Sequence, residues 1–183
     1  MVMSLTKNIN KKLKNSDIIQ ALTRKEMQIE VKKLQKCGKR VVFTNGCFDL
    51  LHFGHVSILK KAKSLGDILV VAINSDKSLS YLKGPKRPLV EEKERAEMLL
   101  SLRVVDYVVV FEERTPKEIL KELCPDILVK GKNYKLSEII GREYVKKVYR
   151  FPIIKDKSTT NLINLIIKRY GFKQKKRNIE KNR

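Results

Sequence analysis

The chain reads as a single α/β domain built on an open, doubly wound parallel sheet of five strands. Five short runs predict the strands: "RVVFTN", "DILVVAIN", "DYVVVF", "DILVKG" and "YRFPII". They are rich in valine and isoleucine, the composition of strands buried on both faces of a parallel sheet. A stretch with helical periodicity separates each run from the next, the alternation of a sheet covered by helices on both sides. Right-handed crossovers then wind the sheet, and ligands bind where the strand order turns. The 183 residues, 42% of them hydrophobic, suffice for one core.

Thr23, with Glu26 three residues on, has the spacing of a capping box. The first helix runs through "KEMQIEVKKLQKC" and stops at Gly38, a residue suited to the left-handed position that ends a helix. "RVVFTN" follows as the first strand, "VSILKKAKSLG" as an amphipathic helix ending at Gly66, and "DILVVAIN" as the second strand. The polar stretch "SDKSLSYLKGPKRPLV" reads as a loop leading into the helix "EEKERAEMLLSLR". The last three strands are parted by "TPKEILKEL" and "LSEIIGREYVKKV", both with helical periodicity. A final helix, "TTNLINLIIKRYG", is apolar on one side and ends at Gly171. The domain is therefore expected over residues 23–171, between a loosely attached extension, 1–22, and a basic, disordered tail, 172–183.

Composition narrows the function. Forty-one lysines and arginines against 20 acids give a net charge of +21, which invites a polyanionic partner such as nucleic acid. The lysines are dispersed along the whole chain, however, and the few aromatics do not interleave with a basic stripe. General surface charge is the preferred reading, with a nucleic-acid-binding module as the alternative from another functional class. No run of eighteen apolar residues occurs, so no membrane span and no membrane partner are expected. The opening "MVMSLTKNINKKLKN" lacks the apolar stretch and cleavage site of a secretory signal. Cys37, Cys47 and Cys124 are odd in number and show no CxxC pairing, which points to reduced thiols and a cytoplasmic location.

Both histidines of the chain, His52 and His55, lie in "TNGCFDLLHFGH". A metal site, a pair of core histidines and a phosphate cradle compete to explain them. Zinc needs three or four ligands, helical histidine pairs more often stand four apart, and no acidic or cysteine partner follows Cys47, His52 and His55 at a fitting spacing. A core role explains one histidine easily and two around a glycine poorly. Thr44, Asn45 and Gly46 fall at the carboxyl end of the first strand, and a helix begins directly after the histidines. Free backbone N–H groups and the positive end of the helix dipole meet there, Gly46 and Gly54 allow close approach, and imidazoles add directional donors. Phosphate accounts for residue types and position together.

"TNGCFDLLHFGH" resembles the HxGH signature of the nucleotidyltransferase superfamily, in the version carried by cytidylyltransferases and sugar-phosphate adenylyltransferases. The similarity runs from about Lys39 to Tyr170 and includes "NSD", "LKGPKRP", "RAEML", "VDYVV", "DILVKG" and "STT". Together these are most similar to the D-glycero-β-D-manno-heptose 1-phosphate adenylyltransferases, with "LKGPKRP" after "INSD" the discriminating signal. The resemblance implies a Rossmann-like fold and attack of a sugar 1-phosphate on the α-phosphorus of ATP, releasing pyrophosphate. It further implies a role in ADP-heptose and lipopolysaccharide biosynthesis, a Mg²⁺ ion brought in with ATP and no dedicated protein metal site. A separate heptose kinase would supply the acceptor, and the protein would be a homodimer. The alternative within the fold is a glycerol-3-phosphate cytidylyltransferase, which shares "FDLLH", the HxGH and "STT".

On this resemblance His52 and His55 contact the triphosphate and stabilise the transition state, with Lys83 as a further catalytic cation. Thr44, Asn45, Gly46, Cys47 and Phe48 line the phosphate pocket, and Asp49 is a weaker candidate whose other role is to shape the turn. Lys86 and Arg87 are further candidates against the acceptor, or else part of a solvated basic loop. Arg95 either faces the nucleotide or makes a surface salt bridge with Glu91 or Glu92. Ser158, Thr159 and Thr160 resemble a second phosphate signature at a helix start, where capping alone would also explain them. Lys130 and Gly131 resemble the loop beside the base. Asp156 and Lys157 before "STT", and Lys132 and Asn133 after Gly131, depart from the family pattern.

Overall fold

In the computed structural model, residues 21–132, 135–152, 154 and 157–171 are described. Thr23 opens α1 (Arg24–Lys36), accepting from the Glu26 N–H while the Glu26 side chain accepts from the Thr23 N–H. Gly38, with φ of 72°, turns the chain back. Five strands follow: β1 (Val41–Gly46), β2 (Ile68–Asn74), β3 (Tyr107–Phe111), β4 (Ile127–Gly131) and β5 (Lys147–Phe151). All pair in parallel, in the order β3-β2-β1-β4-β5. The chain thus winds outward one way from β1 to β3, then crosses back beside β1 and winds the other way.

Alternation along the strands divides the core. Val41, Phe43, Val70 and Ala72 point to one face, against Met27 and Val31 of α1 and Ile119, Leu120 and Leu123 of α5 (Lys117–Leu123). Val42, Leu69, Val71 and Ile73 point to the other, against Leu59 and Ala62 of α2 (Phe53–Lys63) and Ala96 and Leu99 of α4 (Glu92–Leu100). With a side chain projecting to each face at every second residue, both faces require apolar cover.

Four expectations need correction. The polar stretch after β2 holds a helix, α3 (Asp76–Lys83), nucleated where Ser75 accepts from the Ser78 N–H. "LSEIIGREYVKKV" forms two 3₁₀ turns, Leu136–Glu138 and Arg142–Tyr144, rather than a helix. Gly141 between them sits at φ 83°, and a Cβ there would collide with Leu120. The last strand is shifted toward the amino terminus of "YRFPII": it starts at Lys147 and stops before Pro152, which has no N–H for the ladder. Leu22, assigned to the extension, joins the sheet edge by donating its N–H to the Val108 carbonyl at 3.0 Å. Residues 1–20 and the tail 172–183 lie outside the described residues, as do Asn133 and Asp156.

The final helix, α6 (Thr159–Tyr170), begins at Ser158, which accepts from the Asn161 N–H at 3.1 Å. None of its residues is buried. Its amino end is the part that bears on the site.

Candidate active site

A cleft of about 600 Å³ opens at the carboxyl ends of the strands, across the point where β1 and β4 lie side by side. Thr44, Asn45, Gly46, Cys47 and Phe48 line it from β1 and the turn beyond, Lys130 and Gly131 from β4. Lys83 and Arg87 line one side, Lys157, Ser158, Thr159 and Thr160 the other, and His52 and His55 lie between. Most residues singled out in the sequence are thus brought to one place by the sheet's reversal of direction.

The turn after β1 is held from behind. Asp49 is 1% exposed and accepts from the Leu89 and Val90 N–H groups at 2.8 and 3.0 Å, and from Arg87 Nε. It shapes the turn and pins the "GPKRP" loop, and it does not reach the cleft. Arg95 faces neither a nucleotide nor Glu91 or Glu92: its side chain is fully buried beneath the turn. It donates to the Cys47 carbonyl at 2.6 Å, the Asn74 carbonyl at 2.8 Å, the Val90 carbonyl at 2.9 Å and Asp76 Oδ1 at 2.7 Å. Sequence pattern marked the arginine but could not show that its partners are backbone carbonyls from three loops. Lys86 is exposed and outside the cleft lining. Thr44 donates its hydroxyl to the Val129 carbonyl at 3.1 Å, tying β1 to β4.

His52 is the N-cap of α2 with extended dihedrals, and His55 closes the first turn by donating its N–H to the His52 carbonyl at 2.9 Å. The imidazoles stack with centroids 3.8 Å apart and planes 20° from parallel, and Phe48 packs on His55 at 4.9 Å. Both Nδ1 atoms are buried with no hydrogen-bond partner among the described residues. Burial, then the neighbouring His52, pushes His55 down to about 4, against an opposing backbone hydrogen bond at Leu50. Burial lowers His52 as well. The ligand-free pair is therefore neutral near pH 7.

Two helix starts converge beside it. The first turns of α2 and α6 contain no acidic residue, which leaves the positive ends of both dipoles uncompensated by their own sequence. Gly54 makes their approach feasible: a Cβ there would lie 2.8 Å from the Lys157 carbonyl oxygen and 2.9 Å from His52 Cε1. The empty space at Gly54 is thus taken up by the chain itself. At Gly46 a Cβ would lie 3.1 Å from the Phe48 ring. The room expected to admit a phosphate also seats a ring at Gly46 and the lead-in to a second helix at Gly54.

Charge completes the picture. Six cations line the cleft, Lys61, Lys83, Arg87, Arg114, Lys130 and Lys157, against the single carboxylate Glu138 among the described residues. Lys130 is held against Asn45 Oδ1, and burial pulls its ammonium down to about 8. Sequence reading missed Lys61, Arg114 and Glu138; each stands in an ordinary charged context and becomes visible only once strand order is known. No cluster of three His, Cys, Asp or Glu occurs among the described residues.

A cationic cleft with two helix starts over the reversal point of a parallel sheet has the charge and geometry suited to a phosphate-binding α/β protein. The comparisons specify the family. The cytidylyltransferase-like family model matches residues 43–170. The chain is 52% identical over 138 residues to the bifunctional protein HldE of a Nitratiruptor species, covering 75% of this chain and 30% of that protein. It is 55% identical over 128 residues to HldE of Helicobacter pylori, covering 70% of this chain and 28% of the relative. It therefore spans about a third of the length of these relatives. The structure of the lipopolysaccharide core biosynthesis protein from Thermoplasma volcanium superposes with a TM-score of 0.54 at 30% identity, covering 64% of this chain and all of that one. Pantoate-beta-alanine ligase from Francisella tularensis, with a TM-score of 0.59 at 17% identity over 79% of this chain and 72% of its own, shares the fold. The chain belongs to the cytidylyltransferase-like family.

Proposed function

We propose that the chain transfers AMP from ATP to D-glycero-β-D-manno-heptose 1-phosphate, giving ADP-heptose and pyrophosphate. The observation that carries this reading is the stacked, neutral pair His52–His55 set between two helix starts that converge on one cleft. The similarity to HldE proteins supports the choice of sugar phosphate and of adenylyl transfer.

In the reaction an oxygen of the sugar 1-phosphate forms a bond to the α-phosphorus while the bond from that phosphorus to the β-bridging oxygen breaks, and pyrophosphate departs with the electron pair. No group on the protein is adenylylated in this direct transfer. The residues position two anions and offset the charge that develops between them. His52 and His55 donate to phosphate oxygens, and the backbone N–H groups at the starts of α2 and α6 hold the remainder, with Ser158, Thr159 and Thr160 adding hydroxyls. Lys83 and Lys130 supply compact positive charge. Gly131, Ile140, Pro152 and Ile154 give the wall for the adenosine. Mg²⁺ would supply charge neutralisation when carried in on the triphosphate, which suits a cleft with one carboxylate among the described residues.

The same reading places the enzyme in a reducing cytoplasm, which the three free cysteines support, and gives it a heptose kinase as supplier of its acceptor. It also makes it a homodimer, which a measurement of its mass in solution tests. Pyrophosphate release tests the assignment, with ATP and CTP each offered alongside heptose 1-phosphate and glycerol 3-phosphate. Turnover is expected only with ATP and the sugar phosphate. A preference for CTP overturns the heptose assignment and leaves the family intact.

Gly54 gives a second test. Gly54→Ala is expected to lower kcat/KM by at least about tenfold, since a misplacement of an ångström at a site of aligned reactants has that scale. The fold should survive at a cost of about 1–3 kcal/mol, as for other overpacked positions. Steady-state kinetics beside urea unfolding separates the two effects, and an unaltered kcat/KM would show that the two helix starts need not touch.

A further inference from the structure

The reaction brings a second anion to the cleft, and the distribution of cations shows where it sits. On the β4–β5 side the lining is Gly131, Ile139, Ile140, Pro152 and Ile154 with the carboxylate Glu138 and Lys130, which is held against Asn45 Oδ1, a mostly apolar surface that suits a nucleoside. The histidine pair and helix starts occupy the centre. On the β2–β3 side stand Lys83, Arg87 and Arg114. Arg87 is paired with Asp49. Lys83 and Arg114 make no ion pair among the described residues, so they are the charges on this side left to be met by a ligand.

Arg114 is held in readiness. Its guanidinium lies on the Tyr81 ring, 3.5 Å from the centroid, so one face of the plane is covered while the N–H groups around its perimeter remain open. The adjacent Glu113 does not neutralise it, being engaged by Arg24. The segment that carries Arg114 is fastened to α3 from below: Ser78 donates to the Glu113 carbonyl at 2.8 Å and accepts from Asn74 Nδ2 at 3.0 Å. Asn74 in turn receives the Cys47 thiol at 3.8 Å. A polar chain therefore runs from the turn after β1 to the loop after β3, fixing Arg114 relative to the phosphate cradle.

We infer that Arg114, stacked on Tyr81, binds the phosphate of the second substrate, with Lys83 facing it across the same side of the cleft. A planar fork suits a phosphate with two free oxygens, and stacking reduces the freedom lost when it binds. The inference rests on the adenylyl-transfer reading and adds to it the residues that recognise the acceptor.

Steady-state kinetics of the full chain with ATP and heptose 1-phosphate tests it. Arg114→Ala is expected to raise KM for the sugar phosphate roughly 10- to 100-fold, the scale for losing hydrogen bonds to a charged group, with KM for ATP and the thermal midpoint unchanged. Inorganic phosphate, competing with the acceptor, should inhibit the variant correspondingly less. Arg114→Lys should recover part of the loss, Tyr81→Phe should resemble the parent, and Tyr81→Ala should raise the same KM several-fold. An unchanged acceptor KM in Arg114→Ala overturns the subsite. So does a raised KM for ATP with weakened inhibition by pyrophosphate, which would assign the cation to the leaving group. A parent chain that turns over no sugar 1-phosphate overturns the functional reading and the subsite together.

Discussion

His55→Ala and His52→Ala are each expected to lower kcat by roughly 10²–10³, with a much smaller change in affinity for ATP. The magnitude is that of a single donor aimed at charge developing in a transition state, about 3–4 kcal/mol. The backbone N–H groups of two helix starts and the surrounding cations hold the triphosphate in either variant, so ground-state binding survives. The transition state loses a donor at the transferring phosphorus, and kcat falls. Single-turnover chemistry with ATP binding measured alongside decides it, and an unchanged kcat in either variant removes that histidine from the mechanism.

The protonation state gives an independent check. His55, pushed down to about 4, binds a proton more readily in the unfolded chain, whose imidazole titrates near 6.5. Between these values the unfolded state holds more protons, so stability is complete above pH 6.5 and declines as pH falls toward 4. His55→Ala should flatten that decline in urea titrations. A polyphosphate beside the rings favours their protonated forms, so ATP should raise both imidazole titrations observed by NMR. A ligand-free His55 titrating at or above 6.5 would contradict the buried, stacked pair.

The sequence shows the sheet and the histidine motif for the same physical reason: both are local. Apolar runs such as "DILVVAIN" read as strands because β2 is buried on both faces, and Thr23 with Glu26 reads as a helix start because the capping box closes within four residues. "LSEIIGREYVKKV" misleads because its periodicity says nothing of Gly141, whose φ of 83° interrupts the segment at a point where Leu120, distant in the chain, leaves no room for a Cβ. The same limit applies at the site. Asp49 reads either as a ligand contact or as a residue that shapes the turn, and Arg95 as a nucleotide contact or a surface salt bridge; local pattern cannot choose, because most of their partners lie 19 to 48 residues away. Arg114 was invisible for the converse reason, since its place in the cleft follows from β3 lying beside β2.

Arg95→Met should have the largest effect on stability, a loss of about 3–5 kcal/mol, the range for removing one partner from a buried ionic network. Methionine fills much of the volume but carries no donor. The carbonyls of Cys47, Asn74 and Val90 then lose the donor of a side chain that has no exposed surface. Asp76, whose side chain is 36% exposed, is the smaller part of the cost because solvent takes over from the guanidinium. Arg95→Lys should recover less than half, since a single ammonium cannot span acceptors on three loops. Urea unfolding at constant m-value measures both. Because Arg95 ties the turn after β1 to the end of β2, the surviving folded protein should also lose turnover without losing its histidines. A loss below about 1 kcal/mol in Arg95→Met, the scale of an ordinary substitution, would mean that the turn after β1 is held by its own backbone, and that the arginine beneath it is incidental to the cleft.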